Sequence, residues 1–183
     1  MGTIGTILCE YGRKSILRLA ARTRARSRST AVVALAVSPL FLVTCSALNV
    51  SAARSDEAAP DFQLEVFGNE NYTKGEAISL VQFEGQPVVI NFWFPSCPPC
   101  RLEMPDLEAS SRKHKADGVQ FIGVQQLGLD SIEEGQAFID DFGITYAVGP
   151  DATGRIIIDY NVTGFPTTVF LDEHHEVVQT WAG

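Results

Sequence analysis

The chain is poor in cations wherever they would matter for binding nucleic acid. Of its 14 Lys and Arg residues, seven crowd between Arg13 and Arg28, with Glu10 the one acid among residues 1–44. Residues 45–183 hold seven basic against 21 acidic side chains, so the formal charge of −8 conceals +6 in the first part and −14 in the second. With no basic stripe to neutralise phosphates, nucleic acid is excluded as a partner. Cysteine is scarce too. Cys9, Cys45, Cys97 and Cys100 are too few for a disulfide-scaffolded fold, so any thiol chemistry must be local. The three histidines, His114, His174 and His175, stand at no metal-ligand spacing relative to the cysteines, and no metal site is expected. What is plentiful is apolar side chain, 45% of residues against 20% charged. That argues against a wholly disordered chain, and the length of the acidic part suits one domain with its own core better than two.

The basic segment is followed by Ala31–Leu48 (AVVALAVSPLFLVTCSAL), in which no side chain is charged. Positive flank, apolar stretch and then small residues form the layout of a secretory signal. Its most apolar part, Ala31–Val43, is shorter than the roughly 20 residues that span a bilayer. The uncharged run continues to Ala53, however, so an uncleaved anchor stays open. Leu42-Val43-Thr44-Cys45 resembles the lipobox of bacterial lipoproteins, with Thr44 where that pattern has Gly, Ala or Ser. Acylation of Cys45, cleavage near Val50–Ala53 and an uncleaved anchor are the alternatives; an organellar transit peptide fits less well. In each bacterial case the basic side stays in the cytoplasm and the acidic domain is exported. Residues 1–52 are thus read as a leader, 53–60 (ARSDEAAP) as a linker and 61–183 as the folded domain. Cys9 is an incidental thiol of the leader.

Within that domain, Phe62–Phe67 alternates weakly, a Gly/Asn-rich turn follows over Gly68–Gly75, and Ala77–Val81 completes a predicted hairpin. Val88–Phe94 is a continuous apolar run of strand length, which predicts a central buried strand. Cys97 to about Lys115 is helical in pattern, and Val119–Val124 reads as a second buried strand. Asp130-Ser131 can cap a helix over Ile132–Phe142 closed by Gly143. Gly154–Tyr160 suggests a short helix or turn, and Thr167–Leu171 with Glu176–Trp181 suggests a closing hairpin. Buried strands alternating with helices give the α/β class, with helices on the faces of a mixed sheet.

Cys97-Pro98-Pro99-Cys100 falls where the strand Val88–Phe94 hands over to a helix. The thiolate is the reactive form, and a helix N-terminus offers unpaired N–H groups and the positive end of the dipole to stabilise it. A free thiol titrates near about 8.5, whereas in CxxC pairs at helix starts the value falls to about 3.5–7.5. One turn later Cys100 can attack a mixed disulfide on Cys97 and release the partner. Three other readings compete. A structural zinc site needs four ligands, which the sequence does not align. A static disulfide across so small a loop restrains the unfolded chain little. Inert buried thiols leave the strand-to-helix position unexplained. Redox chemistry at the pair accounts for the placement and needs no cofactor, because the two sulfurs carry the electrons themselves.

With these residues in view, the chain resembles the thioredoxin superfamily, and within it the exported TlpA/ResA/DsbE-like thiol–disulfide oxidoreductases of redoxin (AhpC-TSA) type. The resemblance runs from about Ala59 to Trp181. It rests on Ala59-Pro60-Asp61-Phe62, on Gly85-Gln86-Pro87-Val88-Val89-Ile90-Asn91-Phe92-Trp93, on Cys97 through Pro105 (CPPCRLEMP), and on Gly164-Phe165-Pro166-Thr167-Thr168. It implies a thioredoxin-like fold with an N-terminal β-hairpin extension, and Cys97 and Cys100 as a catalytic pair cycling through a Cys97–Cys100 disulfide. It also implies a cis Phe165-Pro166 bond lying against that pair, with the Phe165 backbone receiving an extended substrate segment by strand-like hydrogen bonds. Trp93 is expected to pack beside the site and help bind substrate, with a purely structural place in the core as the alternative. Glu103, three residues after Cys100, shares its helical face. In ResA-like proteins the matching acid is proposed to tune the cysteines, and a partly buried carboxylate there would accept the Cys100 proton. Pro105 should kink the helix. Implied partners are protein disulfides, apocytochrome c among them, and an upstream membrane thiol–disulfide donor. The implied place is the outer side of a bacterial cytoplasmic membrane, with the domain tethered or secreted.

Two departures stand out. Many relatives carry Ala-Ser-Trp before the first cysteine, where this chain has Phe94-Pro95-Ser96, which removes a flat apolar wall. The family also continues into a final helix that is not found before Gly183, so either the domain lacks it or the sequence is a fragment of a longer one. Two other functions remain in play. A thioredoxin-fold copper-delivery module would use CxxxC and a placed histidine. A peroxidase of peroxiredoxin type would need a threonine shortly before the nucleophile.

Overall fold

Val88–Trp93 forms strand β3, and all six of its residues are buried, as a strand paired on both edges and covered on both faces must be. It is the centre of a five-stranded sheet in the computed structural model, which describes residues 58–183. The leader with Cys9 and Cys45, and the linker up to residue 57, lie outside the described residues. Ahead of β3, Gln63–Glu65 (β1) and Ala77–Ser79 (β2) pair antiparallel with Leu64 opposite Ile78. After it come Pro98–His114 (α1), Gln120–Gln125 (β4), Ile132–Phe142 (α2), Ala147–Pro150 (β5), Arg155–Asp159 (α3), Thr167–Leu171 (β6) and Val177–Ala182 (β7). The sheet order is β5-β4-β3-β6-β7; β3, β4 and β5 are parallel, and β6 and β7 run antiparallel to their neighbours. This is the thioredoxin-like mixed sheet that the sequence resemblance implies.

Alternate residues of β3 face opposite sides of the sheet. Val89 and Trp93 join Cys97, Cys100, Met104, Leu107, Phe138 and Ile139 in the core beneath α1 and α2. Val88, Ile90 and Phe92 enter a second core with Phe62, Leu64 and Val66 of the hairpin and Ile156 of α3. Each layer is therefore one apolar face of the sheet matched to one set of covering elements. Asn91 lies on the helix side, the one polar residue in an otherwise apolar strand.

Several boundaries follow local chemistry. Ser131 caps α2, accepting from the Glu134 amide while the Glu134 carboxylate accepts from the Ser131 amide. Gly143 ends the helix in a left-handed conformation, φ 61°. β2 stops at Ser79, two residues short of its expected end, because Ser79 and Gln82 cap a 3-10 turn over Leu80–Phe83. α1 runs on through Pro105. β5 was not expected, since Ala-Val-Gly-Pro reads as loop. It pairs parallel with β4, Ile122 opposite Ala147, and the segment after β1 docks on it, the Phe67 amide donating to the Val148 carbonyl at 2.7 Å.

At the turn between β6 and β7, Ala58 pairs with Glu176, and the Ala59 amide donates to the His175 carbonyl at 2.8 Å. β3 runs toward Cys97 and β6 runs back, so this point of chain entry lies at the pole opposite the cysteines. Among the described residues no helix is long and apolar enough to cross a membrane.

Candidate active site

The cysteine pair sits at the carboxyl end of β3. Cys97 is the N-cap of α1 in an extended conformation, and Pro98 and Pro99 occupy the first helical positions, where a missing N–H leaves no hydrogen bond unmade. Cys97 and Cys100 are joined, S–S 2.05 Å, and the Cys100 amide donates to the Cys97 sulfur at 3.2 Å. The two sulfurs are not equivalent in access: Cys97 keeps 2% of its surface and Cys100 none. Both residues count among the core beneath α1.

The loop carrying Cys97 is pinned from two sides. The Asp130 carboxylate, in the β4–α2 loop, accepts from both the amide (3.1 Å) and the hydroxyl (2.8 Å) of Ser96. Arg101 donates to the Pro95 carbonyl at 3.3 Å while its guanidinium lies over the rings of Phe138 and Phe142, 5.1 and 5.3 Å from their centroids. In this way α2 is locked to the redox loop. The sequence offered Asp130 only as a cap for α2, a role that Ser131 takes, and Arg101 only within a motif; neither contact could be read, because the partners lie about 6 to 41 positions away.

Glu103 is half-buried beside the pair. Burial pushes its carboxyl up from 4.5 to about 7, against the opposing effect of a 2.7 Å hydrogen bond from the Asn91 side-chain amide. The same Asn91 nitrogen donates to the Thr168 hydroxyl at 3.0 Å. Asn91 and Thr168 are register partners across β3 and β6, and Phe92 and Thr167 are the next pair up. Pro166 immediately precedes Thr167, at the start of β6. The Phe165-Pro166 peptide bond is cis. The ring of Phe165 meets that of Phe94 edge to face at 5.3 Å, joining this segment to the loop before Cys97. An aromatic contact therefore replaces the missing tryptophan wall.

Trp93 is placed differently from expectation. It is fully buried, stacked on Phe138 at 4.6 Å, so it supports the loop from behind and offers no surface to a substrate. The histidines are remote. His114 ends α1, and His174 and His175 lie in the β6–β7 turn at the far pole. Among the described residues no three His, Cys, Asp or Glu side chains converge on a point that could hold a metal. Asn91 was quoted only as part of a motif. The signal that marks it is an amide inside a run of buried apolar residues.

Residues 56–180 match the model of the AhpC/TSA family. A thiol-disulfide oxidoreductase ResA from Halalkalibacterium halodurans is 35% identical over 133 residues, 73% of this chain and 71% of that protein. A protein of the same name from Oceanobacillus iheyensis is 29% identical over 163 residues, 88% of this chain and 83% of its own. Among solved structures, a thiol:disulfide interchange protein of the thioredoxin family from Chlorobium tepidum superposes with a TM-score of 0.63 at 25% identity, covering 72% of this chain and 89% of that one.

Proposed function

Since this chain belongs to the AhpC/TSA family and is a thiol–disulfide oxidoreductase of the ResA type, we propose that it reduces protein disulfides outside the cytoplasm, with Cys97 as nucleophile, Cys100 as resolving thiol and Glu103 as proton acceptor. In the reduced protein the Cys97 thiolate attacks a substrate disulfide. That bond breaks, a mixed disulfide forms, and the first substrate sulfur leaves and takes a proton. Cys100 then gives its proton to the Glu103 carboxylate and attacks Cys97, releasing the second substrate sulfur, which is protonated in turn. The substrate gains two electrons and two protons, and the enzyme is left with its Cys97–Cys100 disulfide. A membrane thiol–disulfide donor returns the electrons.

The observation that carries this reading is the asymmetry of the pair. Cys97 caps the helix with the Cys100 amide aimed at its sulfur and keeps 2% of its surface, whereas Cys100 lies inside the helix and keeps none. Phe165 and Pro166 supply the substrate edge, where an extended segment would pair with the Phe165 backbone. Apocytochrome c cysteines are the substrate class that the family resemblance suggests. Residues 1–52 would serve as leader, 53–60 as linker and 61–183 as catalytic domain, with Cys45 acylated or the apolar run retained as anchor. The +6 leader followed by an uncharged stretch supports that division.

The test is insulin reduction by wild type and Cys97→Ser. The variant should lose activity, and reduced wild type should trap an alkylating agent at Cys97 at neutral pH. A Cys97→Ser protein that reduces insulin at the wild-type rate would overturn the assignment.

A further inference from the structure

Asn91 is held in an orientation that a purely structural amide would not choose. It is 2% exposed, and both of its reported bonds use the nitrogen: one to the Glu103 carboxylate, one to the Thr168 hydroxyl. Its oxygen is buried with no partner. An apolar side chain of similar shape would fill this place in β3 without orphaning a polar atom, and the neighbouring positions of the strand are all apolar. The arrangement is intelligible if the nitrogen has work at Glu103 that outweighs the idle oxygen.

We propose that Asn91 is the positioning residue that holds Glu103 ready to exchange a proton with Cys100, with the Thr168 hydroxyl accepting from the same amide nitrogen. The inference rests on the proton-acceptor role given to Glu103 above. The chemistry is that of a hydrogen bond to the ionised form, which favours that form and offsets part of the desolvation that opposes it. The ionised carboxylate accepts only, so it selects the amide nitrogen, and the Thr168 hydroxyl gives that NH2 group a second acceptor. Thr168 also lies two residues after Pro166 on β6, so the hydrogen-bonded line runs from the substrate edge through β3 to α1.

Other groups act on the same carboxylate. From its own helix the cysteine pair is closest in sequence. From the segment entering β5, the buried Tyr146 phenol faces it, and the Glu103 charge is one of the causes that push the Tyr146 value up. Glu108 also acts on Tyr146, but its carboxylate is committed to the amide and hydroxyl of Thr145 at 2.9 and 2.7 Å. Arg101, next to Cys100, is turned away onto Phe138 and Phe142. Asn91 thus supplies a donor to Glu103 from β3.

The experiment is a carbon-13 titration of the Glu103 carboxyl in the oxidised protein, where the thiols do not titrate, together with the pH profile of insulin reduction. Asn91→Leu should raise the carboxyl midpoint by about one pH unit, roughly tenfold in proton affinity. The activity profile should move the same way, and in a Glu103→Gln background Asn91→Leu should leave it unmoved. Should Asn91→Leu not fold, Asn91→Asp keeps the shape and sets a second carboxyl beside the first, which should raise the midpoint further. An unmoved midpoint in the folded variant overturns the proposal. If instead Glu103→Gln alone has the wild-type pH profile, the proton-acceptor reading fails and the positioning role falls with it, while the Cys97 result stands.

Discussion

Glu103 can be tested through stability as well as through turnover. Its carboxyl titrates near 4.5 when exposed and at about 7 in the fold, because burial penalises the charge. Between these values the unfolded chain has released its proton and the folded chain still holds it, so stability falls as pH rises through this window. Below about 4.5 both states are protonated and the penalty vanishes; above about 7 both are ionised and it is constant. At about 1.4 kcal/mol per pH unit the full span is at most about 3.4 kcal/mol, and partial exposure of the carboxyl cuts this to about 2 kcal/mol. Glutamine has the shape of the neutral acid and can still accept from Asn91, but never ionises. Glu103→Gln should therefore stabilise the oxidised protein by about 2 kcal/mol more at pH 8 than at pH 4. Guanidinium unfolding of wild type and variant at the two values reads this directly. A gain that is equal at both pH values, or a loss at pH 8, would refute the burial argument.

Other consequences are equally open to measurement. Phe165→Ala removes the edge-to-face contact with Phe94, and should raise KM for a disulfide peptide by about three- to tenfold with kcat changed less than about twofold; a kcat loss at constant KM would contradict a binding role. Gly149→Ala would set a Cβ 2.3 Å from the Glu65 carbonyl oxygen and 3.0 Å from Leu64 Cγ. Backbone cannot yield there, so denaturant unfolding should show a loss of about 2–3 kcal/mol, and a loss below about 0.5 would mean that the hairpin is not held as described. Ser131→Ala deletes the α2 cap and should cost about 1 kcal/mol by the same assay, with Glu134→Ala costing less when added to it than alone.

Much of the fold could be read in advance wherever one residue pattern had one physical meaning. Val88–Trp93 had to be central because it carried apolar side chains for both faces. Asp130-Ser131 and Gly143 marked both ends of α2 because capping is local chemistry. β5 escaped because four residues with a glycine and a proline carry no periodic signal, and it becomes a strand only by pairing with β4. The site divides in the same way. Cys97, Cys100 and Glu103 share one helix, so spacing alone brought them together. Asn91, Ser96 with Asp130, and the Phe94–Phe165 contact are made across strands and loops, which only the assembled sheet defines. Trp93 shows the limit from the other side: a residue beside the site in sequence can still point into the core.

The place where the chain joins the fold has a mechanical consequence. Ala58 is fastened at the β6–β7 turn, and the disulfide stands at the other end of the six-residue strand β3, about 20 Å away. Any pull exerted through the 57 residues before it is delivered to the base of the sheet and leaves the redox loop unloaded. A body held by that end turns about its base with the reactive sulfur at the tip of the lever, so small rotations sweep Cys97 through a wide arc. A tether at that end would thus let the sulfur change direction by swivelling, without any part of the fold being rearranged.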